Sequence, residues 1–191
     1  MILDAMLDRL RGRAITIPPM DGALRPNAAL DEMSAVVAVG MPDNLAHVGA
    51  EIVFSSGDRV LALPASGSRT PVPVAACGTT VTAIAGSPGG RRAVALDDGR
   101  ILVGGGDGAD RGIDAPEGCG CPTAMVFADE ATLLVCHGSA TRRPGDWAVD
   151  LMERNASGSV WRIDLASGRQ TCLARHLAFP YGLLLDAAGA A

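Results

Sequence analysis

The side chains best equipped for chemistry crowd into one stretch, His137-Gly138-Ser139-Ala140-Thr141-Arg142-Arg143-Pro144-Gly145-Asp146-Trp147, running on to Asp150 and Glu153. His137 ends the apolar run Leu133-Leu134-Val135-Cys136. A neutral imidazole there can ligate a metal, zinc or another transition metal before calcium. It can also serve as a general base. The competing reading is a partly buried histidine that orders the adjoining loop by hydrogen bonding. Arg142, Arg143 and Trp147 combine two guanidinium forks with an aromatic face, a set suited to an aromatic or anionic ligand. Alternatively, the arginines face solvent or pair with Asp146, Asp150 and Glu153. Asp150 and Glu153 stand three apart on a short helical stretch and so share a face. A second polar pair, Asp43-Asn44, follows Pro42, where it would cap a turn.

Other chemistries find no support. Cys119-Gly120-Cys121 has the wrong spacing for a structural zinc site, which wants four ligands, usually in paired C-x2-C motifs. The five cysteines are odd in number and point to no disulfide framework. Gly104-Gly105-Gly106-Asp107-Gly108 resembles a phosphate loop in composition only, because no Lys-Ser/Thr pair or helix follows, so no nucleotide cofactor is expected. The Gly-x-Ser-x-Gly arrangement of a nucleophilic serine is absent. With a net charge of −5 and no basic stripe, nucleic acid is not an expected partner.

These groups must be positioned by a core that is poor in aromatics (3%) and rich in Val, Leu, Ile and Ala within a 48% hydrophobic chain of 191 residues. Met1 to Leu10 is apolar at 2, 3, 6, 7 and 10, a helical spacing. Asp4 and Asp8 interrupt any secretory apolar run, so no signal peptide is expected and a cytoplasmic location is the default. No stretch of about 18 apolar residues is present, so no membrane span is expected. Prolines at 18, 19 and 26 make the next segment an extended arm. The expected division is residues 1–34 as helix and arm, and 35–191 as one all-β body.

From Ala35 the chain breaks into short apolar runs separated by Gly, Asp and Ser. Strands are expected at Ala35–Val39, Leu45–Val48, Glu51–Ser55, Arg59–Leu63, Val72–Ala76, Val81–Ala85, Arg92–Leu96, Ile101–Val103, Thr123–Phe127, Thr132–Cys136, Ser159–Asp164 and Gln170–Ala174. Ser56-Gly57-Asp58, Asp98-Gly99 and Ser167-Gly168 supply hairpin turns. Similar strand heads recur near Ala46, Ala83, Ala124 and Gly182, a period of roughly 40 residues that points to four-stranded propeller blades. The long last interval is accounted for by a polar insertion at 139–157.

The insertion, the following Gly158-Ser159-Val160-Trp161-Arg162-Ile163-Asp164, and the Phe179-Pro180-Tyr181-Gly182 turn together resemble the strictosidine-synthase-like β-propellers. Within them they are most similar to the branch of adipocyte plasma-membrane-associated protein. The likeness runs from about Pro18 to Leu185. It implies an all-β, six-bladed propeller of four-stranded antiparallel blades, with about three blades and the start of a fourth present as an N-terminal half. Ala35–Val39 would close the ring as an outer strand. Unpaired blade edges would favour self-association if the chain is really this short.

The resemblance also implies a site at one mouth of the central channel. Related calcium-dependent lactonases hold a metal there on acidic and Asn side chains. Asp43 and Asn44 match an adjacent ligand pair of those relatives, calcium being the first candidate and zinc the second. Relatives place Asp or Asn near His137. Tyr181 stands where the lactonases carry a ligating Asn, and a neutral phenol is a poor calcium ligand. Tyr181 would instead line the pocket with Trp147, under a lid carrying Arg142 and Arg143. The function implied is metal-assisted hydrolysis of small-molecule esters or lactones. Non-catalytic binding of a small molecule, and an amine–aldehyde condensation of the strictosidine-synthase type, stand as alternatives. The glutamate that carries the condensation lies in a later blade of that family.

Overall fold

The computed structural model of the chain describes residues 37–105 and 108–186. The expected N-terminal helix and arm lie outside the described residues. So does the start of the expected strand Ala35–Val39, while Val37–Val39 is in no strand. Twelve strands follow: β1 Pro42–Val48, β2 Glu51–Ser56, β3 Arg59–Leu63, β4 Val72–Ala76, β5 Val81–Gly86, β6 Arg91–Leu96, β7 Ile101–Gly105, β8 Gly108–Ile113, β9 Pro122–Asp129, β10 Thr132–His137, β11 Gly158–Asp164 and β12 Gln170–Leu177. They build three four-stranded antiparallel sheets, each in sequence order. The sheets touch chiefly through their first strands, with β5 lying against β1 on one side and β9 on the other. These are the inner strands of three propeller blades.

The middle blade shows why so few aromatics suffice. Successive side chains of a strand point to opposite faces. Ala83, Ala85, Ala93 and Ala95 therefore face the third blade, where Met125, Phe127, Leu133 and Val135 fill the space opposite. Val81, Ile84, Val94 and Leu96 face the first blade and meet Val48, Val53 and Val60. Small faces large across one interface, and branched aliphatics interdigitate across the other. Leu133, Ile163 and Leu96 are fully buried, each contributing about 2 kcal/mol by removal from water.

Strand β8 was not expected from its sequence, which carries two glycines and a charged pair in place of an alternating pattern. Tertiary contacts hold it. Arg92 on β6 pairs with Asp110 on β8 at 2.6 Å, reaching across β7 at Gly104. A Cβ at Gly104 would overlap the Asp110 carboxylate, so glycine is what lets the pair close. The first strand head also shifts by one residue. A bulge at Asn44 aligns Leu45, rather than Ala46, with Ala83 and Ala124.

Candidate functional site

Each inner strand begins with the same irregularity. The ladder skips Asn44 between Asp43 and Leu45, Thr82 between Val81 and Ala83, and Thr123 between Pro122 and Ala124. A bulge leaves one residue unpaired and re-aims its side chain. Asn44 adopts φ 46, a left-handed conformation that asparagine tolerates better than most residues. Its Nδ2 donates to the Val81 carbonyl of the next blade at 3.3 Å and to Ser55 Oγ at 3.2 Å. Ser55 in turn donates to the Asp43 carbonyl at 2.8 Å. Thr123 Oγ1 repeats the device, donating to the Pro180 carbonyl at 2.6 Å. Thr82 Oγ1 is buried and takes no partner among the described residues.

Pro180 stands at the expected fourth strand head, although residues 178–186 are in no strand. It rests on two glycines that flank the insertion. A Cβ at Gly138 would press on the Phe179 ring and the Thr123 methyl, and one at Gly158 would overlap Pro180. Phe179 is buried with φ 46, so a strained backbone turns its ring onto Gly138. The insertion is closed by Ser139 and Ser157, whose hydroxyls lie 3.3 Å apart. It is anchored by Asp150 on the short helix α1, Trp147–Met152. Asp150 is fully buried and accepts from Ser139 Oγ at 2.5 Å. Asn155 Nδ2 reaches both Asp150 and Glu153, at 3.3 and 2.9 Å, so these carboxylates do share a face.

The shared footing at Gly138 and Gly158 brings the insertion and the fourth head together. Trp147, Leu151, Phe179 and Tyr181 line one hollow of about 430 Å³. Trp147 is 53% and Tyr181 72% exposed, while Phe179 forms the buried floor. Leu151 and Phe179 were not singled out from sequence. The Phe179-Pro180-Tyr181-Gly182 turn was the signal available for Phe179.

The arginines lie elsewhere. Arg142 pairs with Glu153 through Nε at 3.2 Å and through Nη2. That contact holds the Arg142 guanidinium above its ordinary pKa and the Glu153 carboxyl below its own. Arg143 reaches Asp97 at 3.8 Å. Both line a separate polar hollow of about 270 Å³ with Asp97, Asp98 and Thr141.

His137 is 1% exposed, and neither ring nitrogen has a hydrogen-bond partner among the described residues. Burial pushes its imidazole pKa down to about 4. Its register partner on β9 is Pro122, the position that Ser55 and Leu96 occupy opposite Asp43 and Val81 in the other blades. Cys121 and Cys136 are also buried, and desolvation raises their thiols to about 11. Cys119 Sγ lies 3.6 Å from Ser159 Oγ. Among the described residues no three His, Cys, Asp or Glu side chains cluster as a metal site, and no helix is long and apolar enough to cross a membrane.

No family model matches the sequence, and no curated protein matches it. Solved structures do resemble the fold. The computationally designed Ika4 protein is 14% identical with a TM-score of 0.55, covering 81% of this chain and 88% of its own. Virginiamycin B lyase from Staphylococcus aureus is 14% identical with a TM-score of 0.52, covering 74% of this chain. A catalytically inactive form of that lyase with quinupristin is 15% identical with a TM-score of 0.51. The chain spans 44% of the lyase's length. At such identities the likeness concerns the fold alone, and the chain carries three four-stranded blades of a β-propeller.

Proposed function

We propose that this propeller binds a small molecule in the hollow between the insertion and the fourth strand head. One observation carries the reading: Trp147 and Tyr181, far apart in sequence, line the same apolar hollow. Exposed aromatic faces above a buried ring form a concave, mostly apolar site of a usual ligand-binding kind. The test is a thermal-shift screen of small ring-bearing compounds on the full chain. Binders should raise Tm by a few degrees, and Trp147→Ala or Tyr181→Ala should remove the shift. Shifts that persist in both variants would place binding elsewhere and overturn the reading.

A second reading is metal-assisted hydrolysis of an ester or lactone, favoured by the state of Asn44. Its amide donates to Ser55 and Val81, which leaves Oδ1 without a partner among the described residues. The Asp43 carboxylate, which accepts the Asn44 N–H at 2.8 Å, lies beside it. The Ser55 hydroxyl, 3.2 Å from Asn44 Nδ2, is a further oxygen close by. These are hard oxygen donors of the type calcium takes, but it takes six to eight. Asp43 and Asn44 would be ligands here, and the bound metal would polarise a carbonyl. Calcium-dependent turnover of an aryl ester that Asp43→Ala abolishes would support this reading. Turnover equal with and without calcium would overturn it. His137, buried at 1% exposure, enters neither reading as a base.

A further inference from the structure

We infer that the hollow of Trp147, Leu151, Phe179 and Tyr181 takes a quaternary alkylammonium cation. This rests on the reading of the hollow as a binding site and names the class of its ligand. The chain has two Trp, one Tyr and three Phe, and three of these rings converge here. Such a concentration in an aromatic-poor chain exceeds what a generic apolar wall needs, because Leu or Val would serve as well.

Charge selects among the ligands that fit such a wall. Among the described residues no charged side chain lines the hollow. Arg142 is held by Glu153, and Arg143 reaches Asp97 beside a different hollow. An anion would therefore enter without a cationic partner, which is costly in an apolar site. A cation is attracted by the ring faces themselves and drawn in by a chain of net charge −5. The other tryptophan shows the same preference: the Arg175 guanidinium sits 5.3 Å from the Trp161 ring centroid. Among the described residues Trp147 has no such cation. Hydrogen bonding then separates quaternary from primary ammonium. A primary ammonium brings three N–H donors that need acceptors, whereas the Tyr181 hydroxyl and backbone are all that the described residues offer there. A quaternary ammonium brings none.

The experiment compares benzyltrimethylammonium with its uncharged carbon isostere, neopentylbenzene, on the full chain. Binding is read by calorimetry and by Trp fluorescence in a Trp161→Phe background. The cation should bind about tenfold more tightly than the isostere. Replacing Trp147 by fluorinated tryptophans, which weaken the ring face without changing its shape, should lower cation affinity stepwise and leave the isostere unaffected. If the isostere binds as well as the cation, the charge selection is overturned while the binding site stands. If neither binds, the site reading falls with it.

Discussion

The Thr123 hydroxyl donates to the Pro180 carbonyl at 2.6 Å, repeating between the third blade and the fourth head what Asn44 does between the first blade and Val81. At two of the three bulges a polar residue thus hooks the head of the next inner strand, while Thr82 makes no such bond among the described residues. Through Thr123, this hook also sets where Tyr181 stands. Thr123→Val keeps the shape and removes the donor from a nearly buried position. It should cost about 1 kcal/mol, read as a lower urea midpoint with unchanged m. It should also weaken any ligand that bridges Trp147 and Tyr181.

His137 gives the fold an acid sensitivity. Its folded pKa, about 4, lies below the ordinary 6.5, so the unfolded chain binds the proton more readily. The contribution is complete above pH 6.5 and is lost as pH falls from 6.5 towards 4, by about 3 kcal/mol in total. His137→Leu, which copies Leu96 at the matching position of the middle blade, should remove that slope. Urea midpoints measured across this pH range check it. A wild-type slope that persists in the variant would assign the effect to another group.

The opposite rim of the blades is clamped by Glu130. Its carboxylate accepts from Ser87 Oγ at 2.8 Å and from the Gly89 N–H at 2.7 Å, and Arg91 reaches its carbonyl at 2.9 Å. Ser87 is buried, so Glu130→Ala leaves its hydroxyl without its acceptor. The expected cost is about 1 kcal/mol, together with faster amide exchange at Gly89. Unchanged protection at Gly89 would argue against the clamp.

At Gly86 β5 lies directly against β1. An added Cβ would overlap the His47 carbonyl and press on Val48. Gly86→Ala should destabilise the chain by about 3 kcal/mol, because backbone cannot yield as a side chain does. Gly112→Ala is the control: among the described residues nothing lies within 4 Å of the added atom, and the melting temperature should hold.

The repeat is legible in the sequence alone. Eleven of the expected strand segments lie on strands of the structure, because alternation and turn chemistry are local properties written into a few consecutive residues. The sequence also marked the insertion and the Phe179-Pro180-Tyr181-Gly182 turn. Tertiary structure alone decided which polar groups face a site. Arg142, Arg143 and Trp147 sit within six residues of one another, yet the ion pairs to Glu153 and Asp97 draw the arginines away from the aromatic hollow. Strand alternation could not show that His137 would be sealed between blades, since that depends on the sheet packed opposite. Nor could it show the hooks from Asn44 and Thr123, which join residues 37 and 57 positions apart. Such contacts depend on how neighbouring blades are stacked, and no local stretch of sequence contains that information.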